Sequence, residues 1–162
     1  TWHSDHFCTH STGMGAFCFV NDCVHACAGE APKHVVSSFK DRETQIIPLE
    51  LLAVAGALVV FRECLRGRDV IAFIDNQSVC YALVKGASRA HDIQMFVACL
   101  HAWLEREHIG LYVEYFPSAA NPADELSRES RSRFCDHVQQ MLLPAWAIFS
   151  YTVKKTFDLL AS

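Results

Sequence analysis

Two hydrophobic rhythms divide the chain. Up to residue 40 the apolar residues come in short β-prone runs between turn residues. Met14 to Val20 (Met-Gly-Ala-Phe-Cys-Phe-Val) lies between Ser11-Thr12-Gly13 and Asn21-Asp22. His6 to His10, Val24 to Cys27 and Val35 to Phe39 are further strand candidates, with a loop from Gly29 to Pro32. Short runs bounded by such residues predict an antiparallel meander. Then the rhythm lengthens. A helix is predicted from Pro48, suited to a first turn because its missing N–H is not needed there, to about Leu65, where Gly67 stops it. Val70 to Ile74 is continuously apolar, as in a strand covered on both faces. Asn76 opens a short helix that Gly86 closes, and Ser88 is the expected N-cap of a helix reaching Glu107. Leu111 to Phe116 reads as a strand, and Asn121-Pro122 starts a helix to about Val138. Antiparallel strands followed by strand–helix alternation imply an α/β fold: a mixed five-stranded sheet, three antiparallel strands then two parallel, with helices on both faces.

Within this pattern one residue stands out. From Ile46 to Phe61, Glu50 is the only charge. A helix that is apolar all round is buried, and a buried carboxylate is costly without a positive partner. Glu50 therefore either faces water at the helix mouth or holds a metal. Val54, Ala57 and Phe61 share its face by helical spacing. Asp75 follows the strand ending at Ile74, and ligands of α/β sheets gather beyond the carboxyl ends of strands. Asp124, three residues after Asn121, has capping-box spacing. Taken singly, each acid also fits a structural role: a helix N-terminus, a turn, a cap. Three acids at element ends together suggest a divalent cation site.

The remaining composition sets limits. The chain has 162 residues, 51% of them hydrophobic and 20% charged, and a net charge of -4, so it is globular and does not grip nucleic acid by bulk positive charge. Cations supply their own charge, so phosphate chemistry stays open. The start at Thr1-Trp2, without Met, reads as a piece of a longer product, with no signal peptide evident. The longest apolar run carries Pro48 and Glu50 and is too short to span a bilayer. Eight cysteines with no CxxC pair read as buried thiols in a reducing, intracellular setting, cytoplasmic or nuclear.

The strings Ile46-Ile47-Pro48-Leu49-Glu50-Leu51-Leu52-Ala53, Phe73-Ile74-Asp75-Asn76-Gln77-Ser78-Val79 and Pro117-Ser118-Ala119-Ala120-Asn121-Pro122-Ala123-Asp124-Glu125-Leu126-Ser127-Arg128 resemble the ribonuclease H domain of retroelement reverse transcriptases. The closing Asn-Pro-Ala-Asp-Glu-Leu-Ser-Arg is similar to the tail motif of long-terminal-repeat and tyrosine-recombinase retrotransposons. The resemblance spans roughly Phe7 to Arg128. It implies a ribonuclease H-like domain over residues 1–138, with 139–162 as a C-terminal helical extension. It also implies metal-dependent hydrolysis of the RNA strand of RNA–DNA hybrids, with Glu50, Asp75 and Asp124 as catalytic and metal-binding carboxylates for two Mg²⁺ or Mn²⁺ ions. A polymerase and other domains of a longer polyprotein are the implied partners, and no membrane is.

The chain departs from the family at its first acid. In the family that acid stands five residues before a Gly-x-Gly pair. Here Gly13-Met14-Gly15 supplies the glycines and Cys8 takes the acid's place. A thiol is a poor ligand for hard Mg²⁺. The same sequence thus also fits a catalytically inactive ribonuclease H-like module that binds nucleic acid or is purely structural. His6, Cys8 and His10, on one face of a strand, offer a rival zinc site, ranked below ordinary surface histidines. Lys85, Arg89 and Arg128 are weak candidates for nucleic-acid contact, from position and sign alone. Phe96, Leu100 and Trp103 read as core, and Arg62, Arg66 and Arg68 as a solvated basic face.

Overall fold

The computed structural model describes residues 13–21, 23–31, 36, 39–43, 45–117, 119, 121 and 123, together with the backbone of 138–140. β1 (Gly13–Val20) and β2 (Cys23–Glu30) form an antiparallel hairpin in register from Gly13 opposite Glu30 to Val20 opposite Cys23. Asn21 takes the turn at φ 49°, a left-handed conformation that asparagine tolerates. β2 extends past Cys27 because the ladder continues through Ala28 opposite Gly15 into the expected loop. β3 (Asp69–Ile74) and β4 (Gly110–Tyr115) pair in parallel, as the sequence predicts, and β5 (Val138–Gln140) lies parallel to β2. The class is mixed α/β. The described strands, however, form two sheets, β1-β2-β5 and β3-β4, and not one sheet of five strands. The strand expected at residues 6–10 lies outside the described residues.

The helices follow their end signals where such signals exist. α1 (Ile46–Val60) begins two residues before Pro48, with the Leu49 amide donating to the Gln45 carbonyl at 3.1 Å. No side chain caps it. Glu50 is consequently the fifth residue of α1, past the first turn, where the helix dipole gives an acid less support. Instead of running on to Leu65, the helix breaks at Phe61 and resumes as the single turn α2 (Arg62–Leu65). The Leu65 amide still reaches the Phe61 carbonyl at 3.1 Å, and Gly67 closes the turn at φ 72°. α3 (Gln77–Lys85) starts as expected: Asn76 Oδ1 accepts from the amides of Ser78 (3.0 Å) and Val79 (3.2 Å). Gly86 ends it in the left-handed region. α4 (His91–Arg106) starts later than a Ser88 cap predicts, because the Ser88 hydroxyl accepts from Ala90 and so braces the loop before the helix. The strand expected at Val35–Phe39 is not formed across its described residues: the Phe39 amide donates to the Val36 carbonyl at 3.2 Å, which is a turn. Ala123 is helical, Val138 belongs to β5, and the rest of the helix expected from Asn121 lies outside the described residues.

One core joins these parts. Met14 and Cys18 from β1, Leu51, Leu52, Ala55 and Leu58 from α1, Ile74 from β3, and Phe96, Leu100 and Trp103 from α4 are all buried in it. Leu111 and Val113 of β4 pack against it. Both sheets therefore turn one face toward the same helices. Burial of this kind, worth roughly 25 cal/mol per Å² of apolar surface, holds the sheets in place relative to α1. Among the described residues no helix is long and apolar enough to cross a membrane.

Candidate functional site

The two sheets do not touch along their facing edges. β1 pairs only with β2 on its described side and β3 only with β4, and a cavity of about 740 Å³ separates them. Its floor is the α1 face predicted from helical spacing, with Val54, Ala57 and Phe61 in line. Glu50 stands on that face, half-buried, and lines the same cavity as Asp75 at the end of β3. Residues 25 apart in the chain thus line the same cavity, one from α1 and one from just past the carboxyl end of β3.

Asn121 adds a contact the sequence did not reveal. Its Nδ2 donates to Asp75 Oδ2 at 3.1 Å, while its Oδ1 accepts from the Ala123 amide at 3.0 Å. The second bond is the expected capping role. The first holds the Asp75 carboxylate toward the chain segment that leads to Asp124. The hint in the sequence was the residue type itself: an Asn cap has a spare N–H donor where an Asp cap has none. Beside Asp75, the Cys80 thiol donates to the Ile74 carbonyl at 3.6 Å. Burial, and then the negative charges of Asp75 and Glu114, raise its pKa, so it stays a neutral thiol at the edge of the site.

The other predicted residues divide between two outcomes. Lys85 is exposed at the end of α3 with its Nζ on the Tyr81 hydroxyl at 2.5 Å, and Arg89 is exposed in the loop before α4. Asp124, Arg128 and Cys8, with His6 and His10 of the rival zinc site, lie outside the described residues. Among the described residues no three His, Cys, Asp or Glu side chains form a metal-holding group. The two carboxylates that line the cavity, Glu50 and Asp75, are hard oxygen donors, the class that Mg²⁺ and Mn²⁺ take, so the donor type fits those ions.

Of the arginines expected on a solvated face, Arg66 and Arg68 are exposed, while Arg62 is half-buried, and Arg62 and Arg66 also reach a buried acid. Arg62 Nε donates to Glu107 Oε2 at 2.7 Å, with Arg66 at 3.4 Å and Arg106 at 3.3 Å. Glu107 is 2% exposed. Burial alone would raise its pKa, but the bonds and charges of Arg62, Arg106 and Arg66 outweigh this and hold it below the usual carboxylate range. This cluster lies where α4 ends and β3 begins, away from the Asp75 end of the strand. It is structural in character.

Compared with family models, curated proteins and solved structures, the chain gives no match.

Proposed function

We propose that the chain is a ribonuclease H-like domain of a retrotransposon reverse transcriptase polyprotein, acting on the RNA strand of RNA–DNA hybrids. One observation carries this reading beyond the sequence motifs. Glu50 and Asp75 line one cavity along β3, and Asn121, three residues before Asp124 in the chain, donates to Asp75 at 3.1 Å. Two of the three acids named from the motifs thus line one cavity, and Asn121, three residues before the third, bonds to the second.

Glu50, Asp75 and Asp124 hold the cations, and Asn121 fixes the orientation of Asp75. The two ions, when bound, supply the positive charge that activates the attacking water and steadies the departing 3′ oxygen. Lys85 and Arg89 on the exposed surface beyond α3 meet the phosphates of the hybrid. With a net charge of -4, most grip on nucleic acid falls to neighbouring domains of the polyprotein, in an intracellular compartment.

A second reading rests on Cys8. If it stands beside Glu50 and Asp75, a soft ligand replaces a hard one and the module keeps its fold without its chemistry. A labelled RNA–DNA hybrid with Mn²⁺ or Mg²⁺ separates the two. Cleavage by the parent chain that drops at least about 100-fold in Glu50→Gln and in Asp75→Asn supports the active reading. An inactive parent whose Cys8→Asp variant cuts the RNA strand supports the second. Cleavage untouched by Glu50→Gln, or an inert yet folded Cys8→Asp, rejects the site.

A further inference from the structure

The sequence of α1 leaves its orientation underdetermined. From Ile46 to Val60 the only polar side chain is Glu50. Apolar burial is non-directional, so a helix that is apolar around its whole circumference gains nearly as much from one rotation about its axis as from another. No side chain caps its start. Glu50 nonetheless lines the cavity it shares with Asp75, so one rotation is selected. Directional bonds supply what the apolar surface does not, and they gather where the chain enters the helix.

Asp92, in the first turn of α4, grips that entry. Its Oδ2 accepts from the Lys40 amide at 2.9 Å, and its Oδ1 pairs with Arg42 Nη2. Arg42 Nη1 in turn donates to the Lys40 carbonyl at 2.9 Å, and Gln45 Nε2 donates to the same carbonyl at 3.0 Å. The Gln45 carbonyl then accepts from the Leu49 amide at 3.1 Å, at the start of the helix's own ladder. Four residues along α4 from Asp92, and so on the same face, Phe96 meets Phe39 with ring centroids 5.6 Å apart. Bonded groups therefore lead from Asp92 to the residue before Glu50. The Asp92 and Arg42 side chains are only 11% and 23% exposed, so the pair is not one of the open surface pairs that contribute little.

We propose that Asp92 is a positioning residue for Glu50: its clamp on Lys40 and Arg42 sets the rotation at which α1 leaves Gln45, and so aims the Glu50 carboxylate at the cation site. This rests on the reading of Glu50 as a cation ligand. Asp92 does not line the cavity, so it acts through the helix and not on the ion. The lever is short. Glu50 follows Gln45 by five residues, about 7.5 Å along the axis, and a helix is stiff over that distance. Groups that orient a metal ligand from outside the ion's own shell typically change its affinity by about 10- to 100-fold.

The test titrates Mn²⁺ alone into the full chain and follows the free ion by electron paramagnetic resonance, with amide exchange measured on the same samples. Asp92→Ala is expected to weaken Mn²⁺ uptake about 10-fold and to speed exchange at Leu49 to Leu52 by about the same factor. Glu107→Gln is the matched control, because it loosens the other end of α4 without touching the clamp. It is expected to stay within about two-fold of the parent in Mn²⁺ affinity. Asp92→Asn keeps an acceptor for the Lys40 amide and falls between the parent and Asp92→Ala, which keeps the test readable if the alanine variant does not fold. If Glu50→Gln weakens uptake but the Asp92 variants match Glu107→Gln in affinity or in exchange, the clamp's role is overturned and the cation reading stands. Uptake unchanged by Glu50→Gln, or no uptake by the parent, overturns both.

Discussion

A single carboxylate held by three guanidiniums shows what one residue can decide in this fold. Glu107 follows α4 and is buried, yet Arg62, Arg66 and Arg106 reach it from α2, its end and α4. Its pKa is depressed in the folded state, so its contribution to stability is present above the ordinary glutamate value, 4.5, and fades as the pH falls through the lower folded value. Asp92 behaves alike. Burial would raise it, but Arg42 and the Lys40 amide pull it down to about 2 from 3.8, so its share is lost between those values. Thermal melts of the parent chain should therefore weaken progressively below pH 4.5. Glu107→Gln should cost about 2 kcal/mol at pH 7 and flatten the upper part of that decline. A variant with the parent's full acid response would show that the charge plays no part. None of this was legible in the sequence, because Arg62 and Glu107 are 45 residues apart and no local pattern links them.

At the scale of elements, legibility tracked the presence of end signals. α3 was readable at both ends because Asn76 bonds two amides and Gly86 takes the left-handed position. Asn76→Ala should therefore cost about 1 kcal/mol, read as a lower midpoint in urea with an unchanged slope. α1 misled at its start because Ile46 and Ile47 carry no capping side chain, and Pro48 looked like a first-turn residue. The error matters for function. It moves Glu50 out of the first turn, where the helix dipole supports an acid most, and onto the wall of the cavity. The Glu50 face was legible for the opposite reason: Val54, Ala57 and Phe61 obey helical spacing wherever the helix begins.

Across the whole molecule, the mixed α/β class and the order of elements from α1 to β4 followed from sequence rhythm, whereas β5 and the gap between the two described sheets did not. Strand periodicity says which residues face a core but not whether neighbouring edges bond. The acids of the candidate site come from α1 and the end of β3, with Asn121 arriving from beyond β4. Only Asn121 betrays the link to Asp75, through a donor that no periodicity predicts.

The stretch from Ile46 to Tyr115 has a consequence in time. It carries α1, both parallel strands and the helices between them without a break, and Val97, Leu100 and Trp103 are buried within it. Contacts close in sequence form quickly, so this stretch is expected to assemble as a kinetic unit onto which the β1–β2 hairpin settles afterwards. Pulse-labelled deuterium exchange during refolding should find the amides of Val97 to Leu104 shielded before those of Ala16 to Val20. Simultaneous protection would mean that the hairpin belongs to the nucleus.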